Sequence, residues 1–272
     1  IAPRADAAPQ FFDVTSTEAS FVRITPADAE SVIAIRTLHV HGTEVEAPRA
    51  ASLDGCWTIN GLPARIVQNG ARVIGVIGDE RPIFIDGGSD GRVVRLLWTK
   101  LPQFGFAAVS VSPDGSRLSG VRWHEQPAER TAGDAWFGVR GACAKTQLGG
   151  GRVIGTFFNR AGRYPLYGLR FDKDERLEDA ASSAALSELA SILAQAPSQR
   201  FRIRANEFRE TTPDANRAHA EKRLASLRAA LASRGVDLAR ITFDAAGDTA
   251  PLHRPVNAGM RTMASSVDLQ LR

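Results

Sequence analysis

The sequence predicts an α+β protein: an all-β part, barrel or sandwich, followed by a smaller β-α-β-α-β-β part with helices packed on one sheet. Three observations carry this. Short apolar stretches recur between turn signals up to Lys145. Leu186, Leu189, Ala190 and Leu193 then set up a helical period. Between the two textures lies the glycine run Gly149-Gly150-Gly151. The expected organisation is a flexible tether over 1–13, an all-β domain over 14–146 with its barrel-like part at 53–145, a linker or extra strand over 147–163, and the mixed domain over 164–272.

Taken in order, Phe21–Ile24 ends at Pro26, and the β-branched stretch Val32–Val40 stops at Gly42. Strand-like segments follow at Cys56–Ile59, Ala64–Gln68, Arg72–Ile77, Ile83–Ile85, Val93–Trp98, Phe106–Val111, Leu118–Trp123 and Trp136–Arg140. Asn69-Gly70, Asp86-Gly87-Gly88, Asp90-Gly91 and Asp114-Gly115 separate them, and such pairs supply the positive φ angles of tight hairpins. A meander of hairpins tends to close on itself and so removes its edges. Gly55-x-Trp57 opens this stretch and Trp136-Phe137-Gly138-Val139-Arg140 ends it, a pattern that resembles a small lipocalin-like barrel. In a closed barrel the first and last strands are neighbours. Cys56 and Cys143 then come within the roughly 4.4–6.8 Å Cα separation of a disulfide; the alternative is two buried thiols. Trp57, Trp98, Phe106, Trp123 and Trp136 read as core rather than as the lining of a ligand box.

In the C-terminal part, Leu169–Phe171 reads as an opening strand and Leu186–Leu193 as a first helix, with Asp179, Ser182 and Ser183 available as caps and Pro197 beyond its end. Phe201, Ile203 and Ala205 alternate with arginines, as in a half-buried strand. Ala220, Leu224, Leu227 and Leu231 line one face of a longer helix that stops at Gly235. Strands at Ile241–Phe243 and Val267–Leu271 complete the set.

This order resembles the OmpA-like, peptidoglycan-associated domain. Leu169-Arg170-Phe171-Asp172, Asn216, Arg223 within Glu-Lys-Arg-Leu-Ala-Ser-Leu, Ala232–Asp237, Gly247, Pro251, Arg261 and Val267 carry the likeness, over about 105 residues. The resemblance implies a non-catalytic component of a Gram-negative envelope, located in the periplasm, free or anchored at the outer membrane. Its partner would be peptidoglycan or another envelope protein. Family members hold the diaminopimelate of a stem peptide with an aspartate and an arginine: an anion for an ammonium, a guanidinium fork for a carboxylate. Here Ala205-Asn206-Glu207-Phe208 stands where Gly-His-Thr-Asp is expected, so the aspartate position falls on Phe208. Ala264-Ser265-Ser266-Val267 stands where Asn-Arg-Arg-Val is expected, so the arginine position falls on Ser265. The candidate ligand residues are therefore Glu207, Phe208, Arg209, Arg217, Arg261 and Ser265, in an altered site. The second reading is a periplasmic interaction or inhibitor module that uses the β domain, with the OmpA-like fold as scaffold.

Composition limits the other classes. A net charge of +4 on 272 residues is mild and argues against a dedicated nucleic-acid binder. Ten Arg/Lys against five Asp/Glu between Arg200 and Arg240 is a local excess that suits an anionic polymer or a solvated face equally well. No apolar run approaches the about 20 residues of a membrane span. The opening IAPRADAAPQ reads as a tether of the kind that follows a secretion signal. Two cysteines are too few for a zinc motif, and His39, His41, His124, His219 and His253 show no metal spacing. Phosphate-loop, dinucleotide and Gly-x-Ser-x-Gly patterns are absent from the sequence, so no catalytic residue, metal or cofactor is expected.

Overall fold

Strand β4 (Ile83–Ser89) is buried along its whole length, whereas β2 (Leu62–Asn69) alternates between buried and open positions. This contrast follows from what each strand faces. In the computed structural model, which describes residues 52–91, 93–112, 114–125, 133–208, 212–249 and 263–272, β4 belongs to a closed antiparallel barrel that has a second layer packed against it. The expected strands at Phe21–Ile24 and Val32–Val40 lie outside the described residues.

The barrel runs up and down through β1 (Gly55–Ile59), β2, β3 (Arg72–Ile77), β4, β5 (Val94–Lys100), β6 (Gln103–Val111), β7 (Arg117–His124) and β8 (Asp134–Arg140). β1 pairs with β8 and closes it, with Trp57 opposite Arg140. Leu53, Trp57, Ile66, Ile85, Trp98, Val109 and Trp136 fill the interior. At the seam the Arg140 guanidinium lies over the Trp57 ring at 4.0 Å and donates to the carbonyls of Ser52, Asp54 and Gly115. Trp57 Nε1 donates to Leu53 O at 2.7 Å. Beside this plug Cys56 and Cys143 form the disulfide, with their Cα atoms 4.5 Å apart.

Asp114-Gly115 makes the β6–β7 turn, with Gly115 at φ +69°. Ser112 and Ser116 hydroxyls and the Ser116 N–H donate to the Asp114 carboxylate and hold it down to about 2, below the ordinary carboxylate range. The folded value lies below the unfolded one, so this contribution is present at neutral pH. It fades as pH falls from about 4 through 2. A carboxyl-carbon NMR titration of Asp114 is expected to give a midpoint near 2; a midpoint near the unperturbed value of about 3.9 would show that the turn bonds do not form in solution.

After the barrel the chain forms α1 (Gly150–Ala161), β9 (Arg163–Pro165), α2 (Asp179–Gln195), β10 (Phe201–Asn206), α3 (Pro213–Ser233), β11 (Ile241–Gly247) and β12 (Ser266–Leu271). The four strands make one mixed sheet in the order β11-β10-β12-β9, with β10 parallel to β11 and the other pairs antiparallel. The described chain is thus a closed eight-stranded barrel plus a small α/β part with three helices. Among the described residues no helix is long and apolar enough to cross a membrane.

Three expectations are corrected. Asp86-Gly87-Gly88 is not a turn but lies inside β4, paired with β3 on one side and β5 on the other. Residues 147–163 hold a helix and the start of β9, not a linker or an extra strand. Three glycines lower the helix propensity there, but Val153, Ile154 and Phe157 are buried, and packing outweighs a propensity deficit of about 1 kcal/mol per glycine. Phe157 meets Phe104 and Phe106 of the barrel edge-on at 5.3 and 5.7 Å. The opening strand is Arg163–Pro165 rather than Leu169–Phe171. The latter stretch turns back instead: Leu169 N donates to Leu166 O, and Phe171 makes only a single bridge to Leu177.

The two parts share one core. Val76, Phe84, Leu97, Phe106 and Trp123 on the barrel's outer face join Val153, Phe157, Tyr164, Leu186 and Leu227 in a continuous cluster, and both parts lie in one compact unit, Pro48–Arg272. The approach is close. A Cβ on Gly88 would strike the Tyr167 carbonyl oxygen, and one on Gly70 the Ala181 carbonyl oxygen. Gly70 also adopts φ +58° in the Asn-Gly turn, so two independent demands fix glycine there.

Candidate functional site

β10 and β12 are antiparallel neighbours, with Asn206 opposite Ser266. The loop that leaves β10 and the residues that enter β12 are therefore adjacent in space. This brings three of the sequence-predicted residues together. The Phe208 N–H donates to Ser265 Oγ at 3.0 Å and to the Glu207 carboxylate at 3.0 Å. Phe208 and Ser265, the two positions expected where an OmpA-like module would place its anchors, thus bond to each other.

Around them is a cavity of about 330 Å³. Leu166, Leu169, Phe171, Phe208 and Val267 give it apolar walls, and Arg95, Arg170 and Arg223 face Asp90 and Glu207 across it. Glu207 is 2% exposed and pairs through Oε2 with Arg223 Nη1 at 2.7 Å. Arg223, on α3, also meets Glu175, which in turn bonds His219 Nδ1 at 3.0 Å. Arg170 pairs with Glu178 at 3.0 Å. Tyr167 is buried, which pushes its hydroxyl up, and it donates to Met263 O at 2.6 Å. It is a neutral wall at ordinary pH.

Arg95 comes from β5 of the barrel. Its Nη1 donates to the Ser265 carbonyl at 2.9 Å, and its guanidinium lies 5.2 Å from the Tyr167 ring centroid. Sequence reasoning did not find this residue. It stands 170 positions from Ser265, on a strand read as plain barrel wall, and no local pattern marks it.

Other candidates sit elsewhere. Arg217 is exposed and lines a separate groove between α3 and β11 with Glu221, Arg228, Phe243 and Asp244. It does not join Glu207, because α3 turns that face away from the cavity. Arg209 and Arg261 lie outside the described residues, as do His39, His41 and His253. Among the described residues no group of three or more His, Cys, Asp or Glu side chains is placed to hold a metal ion.

No family model matches the chain, and no curated protein matches it. Solved structures give partial likenesses. The peptidoglycan-associated lipoprotein from Burkholderia pseudomallei is 24% identical, over 38% of this chain and 86% of that one, with TM-score 0.30. A MotB-like protein from Desulfovibrio vulgaris is 17% identical, over 44% and 88%, with TM-score 0.35. The cell wall anchor of the type VI secretion system from Pseudomonas aeruginosa is 13% identical, over 60% and 86%, with TM-score 0.34.

Proposed function

We propose that this chain is a non-catalytic, periplasmic cell-envelope protein that contacts peptidoglycan through an altered OmpA-like module. One observation carries the reading. The two sequence positions where such a module places its ligand anchors, Phe208 and Ser265, meet at one cavity although 57 residues separate them. The succession strand-helix-strand-helix-strand-strand from β9 to β12 supports assigning that module to the C-terminal part. Glu207 and the cavity arginines supply charge of both signs, which suits the zwitterionic stem peptides of the wall.

The test uses the intact chain. The shared core means that a fragment without the barrel would expose Tyr164, Leu186 and their neighbours. Purified sacculi are expected to co-sediment the protein, and soluble muropeptides to release it. Failure of the protein to sediment above a control protein of similar charge would overturn the reading.

A second reading has its own observation. Phe137 and Val139 lie on the outward face of β8 at 59% and 50% exposed. Two large apolar side chains on one strand face suit a protein contact, and an envelope partner that docks on the barrel would use them.

A further inference from the structure

Among the described residues three guanidinium groups line the cavity beside Ser265, and two of them are paired with carboxylates. Arg170 has Glu178; Arg223 has Glu175 and Glu207. Arg95 forms no ion pair among the described residues. Its one hydrogen bond to the described residues uses Nη1 on the Ser265 carbonyl. Its Nε is buried and has no acceptor among the described residues. Nε has no surface open to the cavity, so an incoming carboxylate meets the guanidinium at Nη2 and accepts a charge-assisted N–H···O bond there. The Tyr167 ring beneath it and the Ser265 carbonyl at Nη1 fix the plane of the group.

We propose that the cavity is a composite site, formed jointly by the barrel and the α/β part, in which Arg95 receives the terminal carboxylate of a small stem-peptide ligand. The inference rests on the cell-wall reading for the source of the ligand and on Arg95 alone for the chemistry. The apolar walls from Leu166, Leu169, Phe171 and Val267 suit a body of small alkyl side chains. A volume of about 330 Å³ admits one or two residues. Glu207 forms part of the cavity floor, its Oε1 accepting from the Phe208 N–H and its Oε2 paired with Arg223. Asp90 lines the same cavity; its Oδ1 accepts from Val93 N at 2.9 Å. The barrel is then part of the recognition surface and not a passive neighbour.

The experiment is an NMR titration of the full chain with N-acetyl-D-alanyl-D-alanine and, separately, with its C-terminal carboxamide. The acid is expected to shift the Arg95 Nε–H resonance and the Phe208 and Ser265 amides, and the carboxamide to leave them in place. Arg95→Gln is expected to weaken binding of the acid at least tenfold, and Arg95→Lys, which keeps the charge and loses the planar guanidinium held on Tyr167 and the Ser265 carbonyl, to weaken it several-fold. Thermal melts establish that each variant is folded, and the contrast between acid and amide in the unsubstituted protein needs no variant. Equal responses to acid and amide, no response to either, or unchanged affinity in Arg95→Gln would overturn the proposal. Sacculus binding with an inert acid probe removes the carboxylate site and leaves the cell-wall reading standing. Arg95-dependent binding of the probe without sacculus binding removes the cell-wall reading and leaves the site.

Discussion

Replacing Arg72 with methionine is expected to lower the unfolding free energy by about 3–5 kcal/mol, the usual cost of orphaning a buried charge. Arg72 on β3 reaches Asp86 on β4 through Nη2 at 2.9 Å and Glu188 on α2 through Nη1 at 3.1 Å. Tyr164 on β9 adds a side-chain hydrogen bond to Asp86, so the cluster ties two barrel strands to both the sheet and a helix of the α/β part. Asp86 is 1% exposed and cannot turn to water. Burial works against both charges. For Arg72, the attraction of Asp86 and its hydrogen bond outweigh burial and hold the guanidinium charged more firmly than usual. For Asp86, burial pushes the carboxyl up against the pull of Arg72. Removing the arginine takes away that pull.

The sign of the pH effect follows. In the Arg72→Met protein the folded-state value of Asp86 lies above the unfolded one. Protonation then favours the folded chain, and the stability so gained is present at low pH and lost as pH rises through the folded value. The deficit against the parent protein is therefore expected to shrink towards pH 4. Urea denaturation at several pH values measures this. A loss under about 1 kcal/mol at pH 7 would mean that the cluster contributes no more than a surface pair. The double variant Arg72→Met, Asp86→Asn is expected to recover part of the loss, because no charge is then left buried and unpaired.

The second large effect is expected from the disulfide. Cys56 and Cys143 are 87 residues apart, and a loop of that length corresponds to about 4–5 kcal/mol of denatured-state entropy in the chain-entropy account. The seam has little else in reserve. β1 and β8 pair only from Trp57 to Ile59, whereas β6 and β7 pair from Gly105 to Val111. Serine at both positions, or full reduction, is expected to move the urea midpoint by the equivalent of a few kcal/mol. A shift below about 1 kcal/mol would show that the Arg140–Trp57 plug and the short ladder hold the seam unaided.

Much of the frame was legible in the chain, for reasons that are local. Hairpin turns need positive φ, so Asn69-Gly70 and Asp114-Gly115 announced themselves, and both are turns. The face of α3 was readable because Ala220, Leu224, Leu227 and Leu231 repeat at the helical period, and all four are buried. The cysteine pair could be inferred because a meander that closes must bring its ends together. Glu207, Phe208 and Ser265 were named only through the resemblance to the OmpA-like domain, and no local pattern marks them.

Other features were decided by tertiary structure. Helix α1 carries glycines that hide it, and it exists because the outer wall of β4 to β6 needs a cover. β4 reads as a short apolar run, and only the layer packed on it shows why it is buried throughout. Arg72 and Arg95 look like ordinary outward residues of barrel strands. One is a half-buried clamp on Asp86 and Glu188, and the other donates to the Ser265 carbonyl at the edge of the cavity. Periodicity records which face of a segment is apolar. It does not record which distant segment will cover that face, and for this chain the charges that matter most lie on the covered side.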